Sequence, residues 1–515
     1  MIGGEVSMKV KVALMLSGLI AILLFFAACA PEPQTRLETQ QVSTQISGEA
    51  ASPLPVLTGT ATPSTPPASG VAIQPALPAS VRYRIYARLD WLTRTVEVQQ
   101  HVTYRNTDED DMTVIVFSVP PNRVPGQFTL TRLATEQQRA NATYILDGAR
   151  LTVPLEAPLP LGEETEFLLE YTLAVLPIGG DNYTGYLGYS ARQVNLGLWF
   201  PVIAAHGSAW ITQQFHTIGE TAMLRTGDFD VRLQVENAPD SLRVAGPGQV
   251  SRPDDTTWRF ELQNGREMAL SVSDQFQTMQ TSTETGIEVM LFYYSNGSLD
   301  TPRHALHTAA DALTVYEELY GPCPFDRLVV VQGDFSDGME FSGLVFVSGD
   351  WFLAWQGQPN DWLTLITAHE VAHQWWYALV GNDQSSVPYL DEALAAYSER
   401  LFIEQQYPDL VDWWWAFRVE PHYPYGYVDA TVYEFDSVRL YINAVYLRGA
   451  LMMEALRTDL GDDVFFAWLS EYAATMRGEV ATPADWWGLL SDDDYAATAD
   501  TRQSFLENPD VLPKK

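Results

Sequence analysis

The 515 residues predict an α+β multidomain chain, with an antiparallel β-sandwich-like domain first and an α+β domain ending in helices after it. Three observations predict this. From residue 82 to about residue 275, apolar and polar residues alternate with period two in short runs separated by turn residues. After Gly286, apolar strand runs are interleaved with long helical stretches. Before residue 80 neither pattern is present.

The N-terminal stretch has a basic start at Lys9-Val10-Lys11, an apolar run from Val12 to Phe26, and Ala27-Ala28-Cys29. A short apolar core followed by small residues reads as a secretory leader over residues 1–28, not a spanning helix. The leader could start at Met8 as well as Met1. Ala27-Ala28-Cys29 resembles a bacterial lipobox, which makes Cys29 the expected lipidation site and the protein extracytoplasmic, anchored to a membrane. Residues 29–80 are rich in Pro, Thr, Ser and Ala, with few aromatics. Such a segment cannot bury enough apolar surface to offset its ordering entropy, and it is expected to be an extended tether, of order ~100 Å if fully drawn out.

Residues 81–280 are assigned to the β-sandwich-like domain. Arg82 to Asp90 and Thr95 to Tyr104 alternate cleanly, except at Gln99-Gln100, where the phase shifts as it would at a bulge. His101, His206 and His216 read as packing or surface residues, not ligands. Residues 281–515 form the second domain. Val289 to Tyr294, Leu328 to Gln332 and Leu344 to Val347 read as strands. Thr301-Pro302 marks the start of a helix reaching Leu319. Trp362 to Leu379 reads as a buried helix, apolar nearly all round, and a loop-rich break is expected from Tyr407 to Tyr433. Cys323 has no framework of further cysteines around it and reads as a small hydrophobe in a tight turn.

Composition sets limits on function. A net charge of −35 argues against nucleic acid as a partner. It suits a soluble body, either adapted to its surroundings or favouring neutral or basic substrates.

The chemistry is concentrated at His369-Glu370-Val371-Ala372-His373, with Glu392 after eighteen further residues. On a helix, positions i and i+4 share a face, so His369 and His373 can offer two imidazoles to one ion. A catalytic zinc takes three protein ligands, and Glu392, at the head of the next helical stretch, is the third. Glu370 is offset from the two histidines, where a general base acting on water belongs. One Zn2+ per chain is expected.

This pattern resembles the gluzincin signature of the M1 metallopeptidases, the aminopeptidase N and leukotriene A4 hydrolase family. Three further segments carry the resemblance: Gly338-Met339-Glu340 before the histidines, Tyr389-Leu390-Asp391-Glu392-Ala393, and Tyr446-Leu447-Arg448-Gly449-Ala450. The resemblance implies a thermolysin-like catalytic domain and hydrolysis of peptide bonds, most plainly as an aminopeptidase. It implies that Tyr446 donates a hydrogen bond to the oxyanion, with Tyr441 as the competing candidate. It implies that Glu340 binds the substrate's amino terminus while Gly338 and Met339 present backbone to it. Glu399, two helical turns after Glu392, reads either as a partner of a ligating histidine or as part of a solvated helix face.

The departures from the family pattern are Asp337, Gly338 and Phe341 around Glu340, and Asp391 and Ala393 around Glu392. Phe341, and a chain that ends before the long helical domain of the larger relatives, lead to the expectation of a more open site. Endopeptidase or epoxide-hydrolase chemistry on the same zinc site, or an inactive peptidase fold used for binding, are the alternative readings.

Overall fold

The computed structural model describes residues 79–179 and 182–512. The expected leader, Cys29 and the tether up to residue 78 lie outside the described residues.

The strand Val81–Asp90 buries every second side chain, Val81, Tyr83, Ile85, Ala87 and Leu89. Alternation of this kind follows when one face packs and the other meets water. The strand is the middle of a seven-stranded sheet, flanked by Thr95–Arg105 on one side and Gly227–Glu236 on the other. Its pairing with Gly227–Glu236 is parallel, so the sheet is not purely antiparallel as the alternation predicts. Strands paired in parallel need a long crossover. The chain between them supplies one, and builds with it a second layer of Val202–Ile203, Met112–Ser118, Arg150–Leu159 and Ile145–Asp147. Phe117 of this layer meets Phe167 of the first edge-on, with ring centres 5.2 Å apart.

The bulge expected at Gln99-Gln100 is absent. Thr95–Arg105 keeps an unbroken register against both neighbours. Gln100 occupies an inward position and is fully buried. Its amide donates to the Pro201 carbonyl at 2.6 Å, and its side-chain oxygen accepts from the Tyr171 hydroxyl at 3.1 Å. A buried amide whose bonds are made is tolerated in a core, and in the sequence it imitates a change of phase.

The sheet of the second half begins at Gln277–Ser282, slightly before residue 281. It continues through Glu288–Tyr293, Arg327–Gly333 and Leu344–Ser348 to the edge strand Gly338–Phe341. The three inner strands are parallel and the outer two antiparallel. Val329, Val331 and Phe346 join the core of the β layers, whereas Val330, Val345 and Val347 join the core under the helices. Burial on both faces is why Leu328-Val329-Val330-Val331 reads as an unbroken apolar run.

The first long helix, Asp300–Tyr320, is preceded by Leu299 as its N-cap, so Pro302 falls inside the first turn. No N–H is required there. The histidine-bearing helix, Trp362–Ala372, stops at His373, well before Leu379. Trp375 and Trp376 turn into the core under the helices, and Tyr377 into the core of the β layers. A continuous apolar run does not by itself distinguish a helix from a buried turn. The expected loop-rich break contains helix at Val411–Trp414 and a π-helical turn at Trp415–Val419.

Candidate metal centre

Asp361 opens the histidine helix by accepting a hydrogen bond from the Leu363 amide at 2.8 Å. One turn apart on this helix, His369 and His373 bring their Nε2 atoms to 3.1 Å from each other. Glu392, the first residue of the helix Glu392–Gln406, brings Oε2 to 3.3 Å from His369 Nε2 and 3.6 Å from His373 Nε2. Tetrahedral ligands at zinc–nitrogen and zinc–oxygen distances lie about 3.3 Å from one another. The three donor atoms therefore already have the separations that one zinc ion requires.

The other imidazole nitrogens are held as well. His369 Nδ1 lies 2.9 Å from Glu399 Oε1, and His373 Nδ1 lies 2.6 Å from Asp391 Oδ1 and 2.9 Å from the Trp376 carbonyl. A carboxylate on Nδ1 fixes the tautomer that leaves Nε2 free to ligate. Glu399 is no solvated residue. It is fully buried, and Arg418 grips it with Nε at 2.9 Å and a second nitrogen at 3.0 Å. Burial alone would raise the Glu399 carboxyl, but Arg418 and His369 outweigh it and hold it at about 2. Burial pulls His369 down, yet Glu392 and Glu399 carry it up to about 9. So many acidic groups around two imidazoles favour positive charge at this point, and a divalent cation supplies it.

Glu370 is buried, and its Oε2 has no hydrogen-bond partner. Burial pushes its carboxyl up to about 7. Such a group is suited to accepting and returning a proton near neutrality. Gly338, on the edge strand, faces it, and a Cβ there would overlap the Glu370 carboxylate.

Alternation along Gly338–Phe341 puts Met339 and Phe341 into the core of the β layers. Glu340 instead bonds Gln384 at 3.0 Å, and one of its carboxylate oxygens lies within 4.8 Å of ligand atoms of Glu370 and His373. Phe341 is wholly buried against Tyr186 and Phe346. It does not open the site, contrary to the expectation from its sequence position.

Tyr446 lies on the π-helical turn Ile442–Leu447, a distortion that recurs at functional sites. Its ring stacks on His369 with centres 5.8 Å apart, and its hydroxyl bonds Glu392. Tyr441 stands edge-on to Tyr446 at 5.5 Å, its buried hydroxyl without a partner. Both tyrosine candidates are thus at the site, with Tyr446 the one touching a ligand.

Beside Met339 and Gln384 lies a cavity of about 300 Å³, walled by Leu198, Phe215 and Tyr377 and containing Glu220. Burial, then Glu392 and Asp391, push the Glu220 carboxyl well above its usual range. Glu340 is likewise raised, by burial first and then by Glu220 and Asp391.

The sequence reading missed four site residues. Asp391 was visible only as a departure beside Glu392. Gln384, Arg418 and Glu220 have no local signature, because their neighbours are remote in the chain. His101, His206 and His216 join no candidate metal-binding group among the described residues.

Residues 304–507 match the family model of the Peptidase family M1 domain. Aminopeptidase M1 of Arabidopsis thaliana is 26% identical over 233 residues, 42% of this chain and 26% of that protein. Aminopeptidase N of Lactococcus lactis subsp. lactis is 25% identical over 333 residues, 59% of this chain and 38% of that one. The chain thus matches well under half the length of these relatives. In fold, it is similar to an M1 zinc metallopeptidase of Deinococcus radiodurans, with a TM-score of 0.61 at 19% identity, covering 85% of this chain and 95% of that one. A mutant of that metallopeptidase, with the same TM-score and identity, was solved bound to a Tyr-Ser-Ala substrate.

Proposed function

We infer, from the Peptidase family M1 domain carried at residues 304–507, that the chain is a zinc-dependent metallopeptidase, and we propose that it removes residues from the amino terminus of peptides. The observation that carries the second step is the pair of acidic groups beside the metal centre. Burial and neighbouring carboxylates raise both groups, Asp391 and Glu392 acting on each and Glu220 also on Glu340, and the positive group that counters them is His373, which the metal site uses. A substrate ammonium would be the missing counter-charge, and a charge-assisted hydrogen bond in a shielded site is a strong one.

The residues divide the chemistry as follows. Zinc at His369, His373 and Glu392 would supply Lewis-acid activation of water and of the scissile carbonyl. Glu370 takes the proton from the attacking water and delivers it to the departing amine. Tyr446 donates its hydroxyl hydrogen to the carbonyl oxygen as negative charge develops there. Glu340 and Glu220 hold the free amino terminus, so that the first peptide bond meets Glu370. The edge strand Gly338–Phe341 offers backbone groups along which an extended peptide can lie.

The test is a peptide series hydrolysed by the zinc-loaded protein. Free-amine tripeptides are expected to be cleaved far faster than their N-acetylated forms. Equal cleavage of both would turn the reading to an endopeptidase while leaving the zinc chemistry in place. From Ala27-Ala28-Cys29 we further infer a lipid-anchored, extracytoplasmic protein. Cys29→Ser should leave the precursor unprocessed, and ordinary membrane-anchored maturation of that variant would end this inference.

A further inference from the structure

Gln384 sits between the histidine helix and the helix that begins at Glu392, and it is almost fully buried. Its backbone amide donates to the Ala222 carbonyl at 3.1 Å, which ties it to the segment carrying Glu220. Its side-chain Nε2 donates twice, to Glu340 Oε1 at 3.0 Å and to Asp391 Oδ2 at 2.8 Å. The second oxygen of Asp391 lies 2.6 Å from His373 Nδ1. The contacts run without a gap from Glu340 through Gln384 and Asp391 to the imidazole of His373.

A primary amide suits this place. It has two hydrogens on one nitrogen, one for each carboxylate, and carries no charge. Without it, Glu340 and Asp391 would face each other as like charges in a buried setting, with Glu220 nearby. A cation in its place would neutralise Glu340 and compete with a substrate amine. Gln384 holds the Glu340 carboxyl in place without bringing a positive charge that would compete with a substrate ammonium.

We propose that Gln384 is the positioning residue for amino-terminal recognition. It sets the distance between the Glu340 carboxylate and the metal ligands, and that distance selects the first peptide bond for cleavage. This rests on the aminopeptidase reading above, in which Glu340 binds the substrate ammonium.

The experiment uses the full chain loaded with zinc, as wild type, Gln384→Glu and Gln384→Leu. Glu keeps the shape but replaces the donor with a carboxylate, and Leu removes the polar group. For a free-amine tripeptide, kcat/KM should fall about ten-fold or more, with KM rising more than kcat falls. Turnover of the N-acetylated tripeptide should fall far less than that of the free-amine peptide, so that the ratio of the two kcat/KM values shrinks, and the zinc should stay bound. If either variant fails to fold, the other decides. An equal change on both peptides, no change on the free peptide, or loss of zinc would each overturn the proposal. If wild type itself does not distinguish the two peptides, the aminopeptidase reading fails and this inference with it. If wild type distinguishes them and both variants do so equally well, only the role of Gln384 fails.

Discussion

Glu399 shows how much one buried carboxylate can carry. It orients His369 through Nδ1 and is itself held by Arg418. Removing one partner of such a pair leaves the other charge buried and unpaired, at a cost of about 3–5 kcal/mol. Its carboxyl is held at about 2, against an ordinary value of 4.5. The unfolded chain therefore takes up the proton first, and the stabilisation is complete above the ordinary value. It is lost as pH falls from there through about 2. Glu399→Gln should be clearly less stable than wild type at neutral pH, with the difference shrinking through that acid range. Denaturant unfolding at a series of pH values reads this directly. His373→Ala should lose the metal, seen as absence of the roughly one equivalent expected by elemental analysis. Glu370→Gln should keep the metal and lose about 100-fold or more in kcat. Tyr446→Phe should also keep the metal and the fold. A near-wild-type kcat in that variant would transfer the oxyanion role to Tyr441.

At the scale of elements, the turn after the histidine helix joins the two halves. Tyr377 has φ of 135°, a left-handed backbone that costs about 1–3 kcal/mol in a non-glycine residue. It is held there from several sides. Arg266, fully buried, donates to the carbonyls of Tyr377, Leu224, Leu379 and Glu479. The Tyr377 hydroxyl bonds Glu267, which also accepts from the Ser342 amide at 2.7 Å. The same tyrosine walls the cavity beside Glu220. Tyr377→Phe leaves one Glu267 oxygen without its partner inside a core. A loss of about 1–3 kcal/mol is expected, measured by urea unfolding, and unchanged stability would show that the bond contributes nothing. The close approach of Gly449 to Ala393 is a second element-level constraint. A Cβ on Gly449 would overlap the Ala393 methyl, so Gly449→Val should displace the helix carrying Glu392 and reduce zinc occupancy.

Across the whole molecule, the site is assembled from both halves. The β layers contribute Glu220 and the Arg266–Glu267 pair, and the second half contributes the ligands, the base and the tyrosines. The sequence by itself determined what depends on short-range periodicity. Spacing of i and i+4 on a helix fixed the two histidines, and period-two alternation fixed the strand Val81–Asp90 with its buried face. What only the tertiary structure decided lies in contacts between remote segments. Gln100 is a core residue because Pro201 and Tyr171 meet it, not because of its neighbours in the chain. The histidine helix ends at His373 because Trp375, Trp376 and Tyr377 are claimed by two different cores. Glu399 is a buried anchor because Arg418 arrives from a turn that reads as loop, and Gln384 bridges two carboxylates that lie 51 residues apart, at Glu340 and Asp391. Local sequence carries backbone preference and the pattern of one face. Burial and pairing of polar groups are set by whichever distant atoms the fold brings within hydrogen-bonding distance.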